Sequence, residues 1–239
     1  MDTSDVIRTA WFSLRHGGSL RPVLLGHLVF VVAASVLLSL APDLVQQLMA
    51  LTAMFLVFGL SRRLVSGDRI RGRGPILFQL PLSPIRHYSA VVGLVVTIIL
   101  LGLVLSALAM AITLGLGGLP TRVAWGSLAG AVVWSAVVFP VGVGLSAVVR
   151  KYDMELLLIL YFISVAQGVF LAESAIPEIV AGGIVGILLP IDPIFLVWGG
   201  FVGQGWALTG WDLAHLVLYP SVWLLVAWVR LRAISLELD

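Results

Sequence analysis

The chain has no cysteine, only one lysine beside thirteen arginines, and only 11% charged residues in 239. Without cysteine there can be no disulfide, thiolate metal site or cysteine nucleophile, and the redox compartment leaves no trace. With 60% hydrophobic residues and a mean hydropathy of +1.12, the scarcity of charge excludes an ordinary soluble domain. The net charge of +2 and pI near 9.4 come from arginine. In so apolar a chain they are read through the positive-inside rule rather than as a nucleic-acid footprint. The first residues, "MDTSDVIRTAWFSLRHGGSLRP", carry no apolar run followed by a small-residue cleavage site, so no removable signal peptide is expected.

A hydrocarbon core about 30 Å thick takes roughly 20 helical residues to cross. Six segments meet that length: Val23–Leu40, Leu44–Leu60, Val91–Leu114, Val123–Val149, Met154–Ala172 and Leu213–Val229. The expected fold class is therefore an all-α integral membrane protein, one transmembrane domain over 1–239. Counted on alternate sides of these spans, Lys and Arg fall thirteen against one, with only Arg122 on the poor side. That places both termini in the cytoplasm. In "SDVIRTAWFSL", Val6, Ile7, Ala10, Trp11 and Leu14 share one helical face, so residues 1–22 are expected to hold a helix lying in the cytoplasmic interface, the alternative being an ordinary amphipathic helix packed on a neighbour. Residues 173–212 carry no Lys or Arg, and their apolar runs, Ile176–Leu189 and Ile194–Val202, are too short to span and are punctuated by Pro177, Pro190 and Pro193. A broken re-entrant pair of helices entering from the outer side fits them best, because irregular backbone at membrane depth must be buried in protein. The alternative makes Ile179–Leu189 part of a seventh span.

Chemistry-bearing groups within the spans are few: His27, Gln46, Gln47, Thr52, Ser135, Gln167 and His215. An intramembrane ionisable group raises a functional hypothesis by default, yet the two histidines are expected at opposite faces and share no site. "GLSAV" around Ser146 lacks the second glycine of a nucleophile elbow. No carboxylates stand at metal-ligand spacing within the spans, so no metal site and no catalytic residue is expected. Gln46, Gln47, Thr52 and Gln167 could line a path or bond between helices. Gly142, Gly144, Gly102, Ser106 and Ser146 are small enough to let helices approach closely.

Six of the thirteen arginines lie in "SRRLVSGDRIRGRGPILFQLPLSPIRHYSA", residues 61–90, where the apolar "ILFQL" follows the charge at once. Arg62 and Arg63 can snorkel to headgroups at the end of a span. Asp68, Arg69, Arg71 and Arg73 lie too far along for that role, and an apolar run in the cytoplasm needs a surface to cover it. "SGDRIRGRGP" is glycine-rich and basic but is no phosphate-binding loop, lacking G-x-x-x-x-G-K-[ST].

With "DRIRG" (Asp68–Gly72), "ILFQL" (Ile76–Leu80) and "PLS" (Pro81–Ser83), the segment resembles the cytoplasmic loop of type-2 ABC transporter permeases, the six-helix membrane subunits of ATP-driven exporters. An interfacial N-terminal helix, six spans with both ends inside, and a broken excursion with a proline pair as in "LLPIDPIF" extend the resemblance over most of the chain. It departs from the pattern at Ile70, where a second acidic residue is common, and at Gly74 and Pro75, which interrupt the expected helical stretch. The resemblance implies a permease with no enzymatic activity or cofactor of its own, coupled through Asp68, Arg69, Arg71, Gly72, Ile76, Leu77, Phe78, Leu80 and Pro81 to a separate ATPase subunit that carries ATP and Mg. It also implies a second permease chain, simplest as a homodimer, in a prokaryotic cytoplasmic membrane. A stand-alone carrier, a channel, an assembly scaffold and a membrane-embedded enzyme are the competing readings.

Overall fold

An apolar segment in lipid can satisfy its own backbone only by coiling into a helix. The computed structural model describes residues 3–16, 20–61, 64, 84–149, 152–172 and 189–236, and no strand occurs among them. The helices are α1 (Thr3–His16), α2 (Leu20–Leu40), α3 (Val45–Ser61, entered through a 3-10 turn at Pro42–Leu44), α4 (Pro84–Leu116), α5 (Arg122–Val148), α6 (Asp153–Ala172), α7 (Ile191–Val202) and α8 (Gly210–Leu236). Five are long and apolar enough to cross a membrane: Leu20–Leu40, Pro42–Ser61, Ile85–Leu116, Arg122–Val148 and Gly210–Ala233. The fold is thus that of an all-α, multi-pass membrane protein.

Lipid gives apolar side chains no reason to seek each other, so helices associate where small residues let their backbones close up. The centre of the bundle is α5, packed against α3, α4, α6, α7 and α8. A methyl group at Gly142 would come within 2.8 Å of Ser61 on α3; one at Gly144 would come within 2.6 Å of Trp223 on α8. At Gly130 it would come within 2.4 Å of Trp198 on α7. On α4, Gly102 makes the same kind of contact with Leu56 on α3 and His27 on α2. The sequence expectation that Gly102, Gly142 and Gly144 mark close contacts is met.

The paired contacts give the helices their directions. Gly26 faces Phe55 and Gly59 faces Val23, so α2 and α3 are antiparallel. Ser61 meets Gly142 while Phe58 meets Trp134 edge-on at 5.9 Å, so α3 and α5 run the same way. Leu157 approaches Gly142 and Tyr161 stands 6.1 Å from Trp134, which turns α6 against α5. Trp198 meets Gly130 and Phe201 meets Gly126, so α7 also opposes α5, and α8 returns after residues 203–209. The starts of α2, α4 and α6 and the ends of α3, α5 and α8 therefore share one end of the bundle. Arg8, Arg15, Arg21, Arg86, Arg230 and Arg232 gather there, while Arg122 opens α5 at the other end.

Helix ends follow the local chemistry. After α4, Leu119 N–H donates to the Leu114 carbonyl and Gly118 N–H to that of Gly115, with Gly118 at φ 70°. After α7, Gln204 N–H donates to the Gly199 carbonyl and Gly203 sits at φ 93°. Both are Schellman closures, and glycine is required at the left-handed position. At the start of α8, Asp212 Oδ2 accepts from Thr209 N–H (2.8 Å) and Thr209 Oγ1 (2.7 Å), and Asp212 N–H donates back to Thr209 Oγ1 (3.2 Å). This reciprocal cap predicts that Thr209→Ala lowers stability by about 1 kcal/mol, read by thermal unfolding in detergent.

Three boundaries differ from the hydropathy reading, one of them the end of α8, which runs to Leu236 and not Val229. The loop expected to last through Ala90 gives way to helix at Pro84, seven residues earlier. Arg86, His87 and Ser89 depress the hydropathy of that stretch, but proline opening a helix loses no hydrogen bond, and α1 lies against α4. Pro193, expected to break the outer segment, lies inside the first turn of α7, where a missing N–H costs nothing. The 16 residues before Leu189 lie outside the described part, and with them the expected first half of the re-entrant pair.

Candidate functional site

Asp68, Arg69, Arg71, Gly72, Ile76, Leu77, Phe78, Leu80 and Pro81 lie outside the described residues. The structure instead shows the two roots that flank their segment in the chain. On the α3 side, Ser61 is buried against Gly142, Leu64 N–H donates to the Ser61 carbonyl (3.3 Å), and the Leu64 side chain is buried in the core. Just below, Phe58, Trp134 and Tyr161 pack edge to face at 5.7 to 6.1 Å, tying α3 to α5 and α6. On the α4 side, His87 and Tyr88 are both buried, their rings 5.2 Å apart and steeply inclined. Neither His87 nitrogen has a hydrogen-bond partner. Sequence reading passed over His87 and Tyr88 because it left them in the loop.

From the α4 root a second connection leads to α2. His27 Nε2 lies 3.2 Å from the Gly102 carbonyl and 3.4 Å from Ser106 Oγ, and Ser106 Oγ itself donates to that carbonyl (2.8 Å). With its proton on Nε2 the imidazole donates to Gly102, so a buried polar side chain is spent on holding two helices together. His27 stands about 10 Å along α2 from the arginine-rich end. His215 lies near the opposite end, on α8, its ring between Trp211 (6.2 Å) and Tyr219 (5.5 Å) beside a groove of about 400 Å³. The structure does not bring the two imidazoles together.

Most hydroxyl groups in the spans turn back on their own helices: Thr52 to Leu48, Ser135 to Ala131, Ser106 to Gly102. Thr52 is fully buried, Gln46 is half-buried and Gln47 exposed near the start of α3, and the Gln167 side chain is outside the described residues. Among the described residues no group of three His, Asp or Glu side chains could hold a metal ion.

The third feature is α7, whose 12 residues extend about 18 Å, too short to cross a bilayer. Its end packs so closely on α5 that a methyl at Gly126 would stand 2.5 Å from the Phe201 carbonyl oxygen. Its start is held differently. Leu189, 0% exposed, donates its N–H to Ser164 Oγ at 2.9 Å, and that hydroxyl donates to the Leu160 carbonyl at 2.7 Å. Ser164 is 11 residues into α6, about 16 Å from the start of that helix, so Leu189 and Pro190 stand near mid-depth of the bundle. The glycine pair was legible as G-x-x-x-G in "GSLAG", residues 126–130, but was not singled out; the Ser164 contact carries no sequence signal at all.

No protein-family model matches the chain, and no curated protein matches it. The class stated by its helices is the firm identification: a multi-pass, all-α membrane protein.

Proposed function

We propose that this chain is the membrane permease subunit of an ATP-driven exporter of the type-2 ABC class, taking its drive from a separate ATPase subunit through residues 61–90. What supports the reading is the order of the chain: "DRIRG", "ILFQL" and "PLS" follow in sequence between two flanks, Ser61 with Leu64 and His87 with Tyr88, that are buried at the arginine-rich end of the bundle. Charge for orientation and an apolar run for insertion form a docking element, and its roots are fastened to the helices it would have to move. One root reaches α5 and α6 through Ser61 and Phe58; the other is continuous with α4 and through Gly102 meets α2.

On this reading the arginine-rich end is cytoplasmic, the segment 173–212 enters from the outer side, and α6 completes six spans. A second copy of the chain supplies the other half of the path, and ATP and Mg reside on the ATPase. Gln46, Gln47, Thr52 and Gln167 remain the candidates for polar positions along that path.

The test is co-purification of the chain with its ATPase. Phe78→Ala should weaken association by about 2 kcal/mol, roughly thirtyfold, if that ring is the buried anchor. Asp68→Arg should weaken it in a salt-dependent way, because its role is orientation at a polar rim. Unchanged association and unchanged ATP turnover for both variants would remove the loop from the mechanism.

A further inference from the structure

The face of α1 that turns away from the bundle is both basic and aromatic. Hydropathy alone groups Val6, Ile7, Ala10, Trp11 and Leu14 together, but packing divides them. Ala10 is 0% exposed and Leu14 is packed against the core, whereas Ile7 (47%), Trp11 (44%) and Phe12 (62%) stay exposed. With 3.6 residues per turn, Ile7, Trp11, Arg15, Arg8 and Phe12 follow one another around about 140° of arc. The two exposed guanidinium groups are therefore flanked by Ile7 and Trp11 on one side and Phe12 on the other. Asp5, the one acidic residue of the helix, is half-buried at the edge of this face.

We infer that this face binds the anionic headgroups of the surrounding lipid, with Arg8 and Arg15 on phosphates and Trp11 and Phe12 seated at the boundary with the acyl chains. Charge and position choose this occupant. The face is basic and aromatic, the combination that suits a headgroup layer. It also lies at the bundle end where Arg21, Arg86, Arg230 and Arg232 already stand, with the Arg232 guanidinium 5.4 Å from the Trp228 ring centre. Arg8 and Arg15 are two turns apart, about 10 Å along the axis, too far to grip a single phosphate. The surface therefore responds to the density of negative lipid rather than to one lipid species, and lysine can replace arginine in it. The inference rests on membrane residence alone and not on the ATPase-coupled reading.

The absence of native cysteine makes the test direct. The full chain carrying Ser4→Cys, a position on the same face, is labelled with a fluorophore and placed in phosphatidylcholine bilayers. Quencher-bearing phosphatidylglycerol or quencher-bearing phosphatidylcholine is then titrated in. Quenching should reach its midpoint at a clearly lower fraction of phosphatidylglycerol, and salt should erase the difference. Arg8→Gln with Arg15→Gln should weaken the preference roughly twenty- to thirtyfold, from a contribution near fivefold for each basic residue at the surface. Arg8→Lys with Arg15→Lys should keep it. Equal quenching by the two lipids overturns the inference, as does a label that responds only when a protein partner is added. Should the glutamine pair fail to fold, the lipid comparison and the salt titration on the parent chain decide alone.

Discussion

Replacing Gly126 with alanine should dislodge α7 from the bundle. The added methyl would lie 2.5 Å from the Phe201 carbonyl oxygen and 3.1 Å from its carbon. Those are backbone atoms of a helix, and they cannot swing aside as a side-chain tip can. Gly130 is different in kind: its methyl would meet the Trp198 ring at 2.4 Å, but that ring is 3% exposed and walled in, so it has nowhere to turn. Overpacking a well-filled contact costs about 1–3 kcal/mol, and more where backbone must shift. Gly126→Ala should reach the top of that range and the double Gly126→Ala, Gly130→Ala change should exceed it. Chemical denaturation in mixed micelles, with Gly93→Ala as a control at a site with open space, checks the ranking. A Gly126→Ala protein as stable as the Gly93→Ala control would mean that α7 is not held as described.

The second large effect is expected at Ser164. Its hydroxyl accepts the Leu189 N–H, a group buried where water cannot replace it. Ser164→Ala leaves that donor unpaired, at a cost of about 1–3 kcal/mol. Ser164→Thr keeps a hydroxyl and should recover most of the loss if its methyl is accommodated. Loss of protection against amide hydrogen exchange at Leu189 in the alanine variant, with α5 unaffected, is the specific signature. A uniform loss across the bundle would instead assign Ser164 to general packing.

These two residues also show how far the sequence carries. Five spans were legible because twenty apolar residues in a row have no other use than a bilayer, and apart from the start of α4 and the end of α8, each seven residues beyond the expected limit, their limits fall within a few residues of the helices. The first two turns of α4 were not, because Arg86, His87 and Ser89 lower the hydropathy of a stretch whose helix is supported by α1, a partner more than 60 residues away. Pro193 was misread as a break because proline interrupts a helix interior yet is tolerated in its first turn. The two faces of α1 could not be separated from periodicity, since either would serve as the buried side until a neighbour chooses one. His27 was identified as a polar residue at depth; its partner, the carbonyl of Gly102, is a backbone atom and leaves no mark in the residue code.

The manner in which α7 is fixed gives it the mechanics of a lever. Near Gly126 it is clamped by backbone contact and at Gly130 by the Trp198 ring, while its start is held by the bond from Leu189 to Ser164 and by the buried side chains of Leu189 and Ile194. A rod of about 18 Å turning by about 10° around its clamped end moves the free end by about 3 Å. A hydrogen bond of 2.9 Å does not survive a displacement of that size, so α7 cannot tilt about its clamped end while the bond from Leu189 to Ser164 is in place.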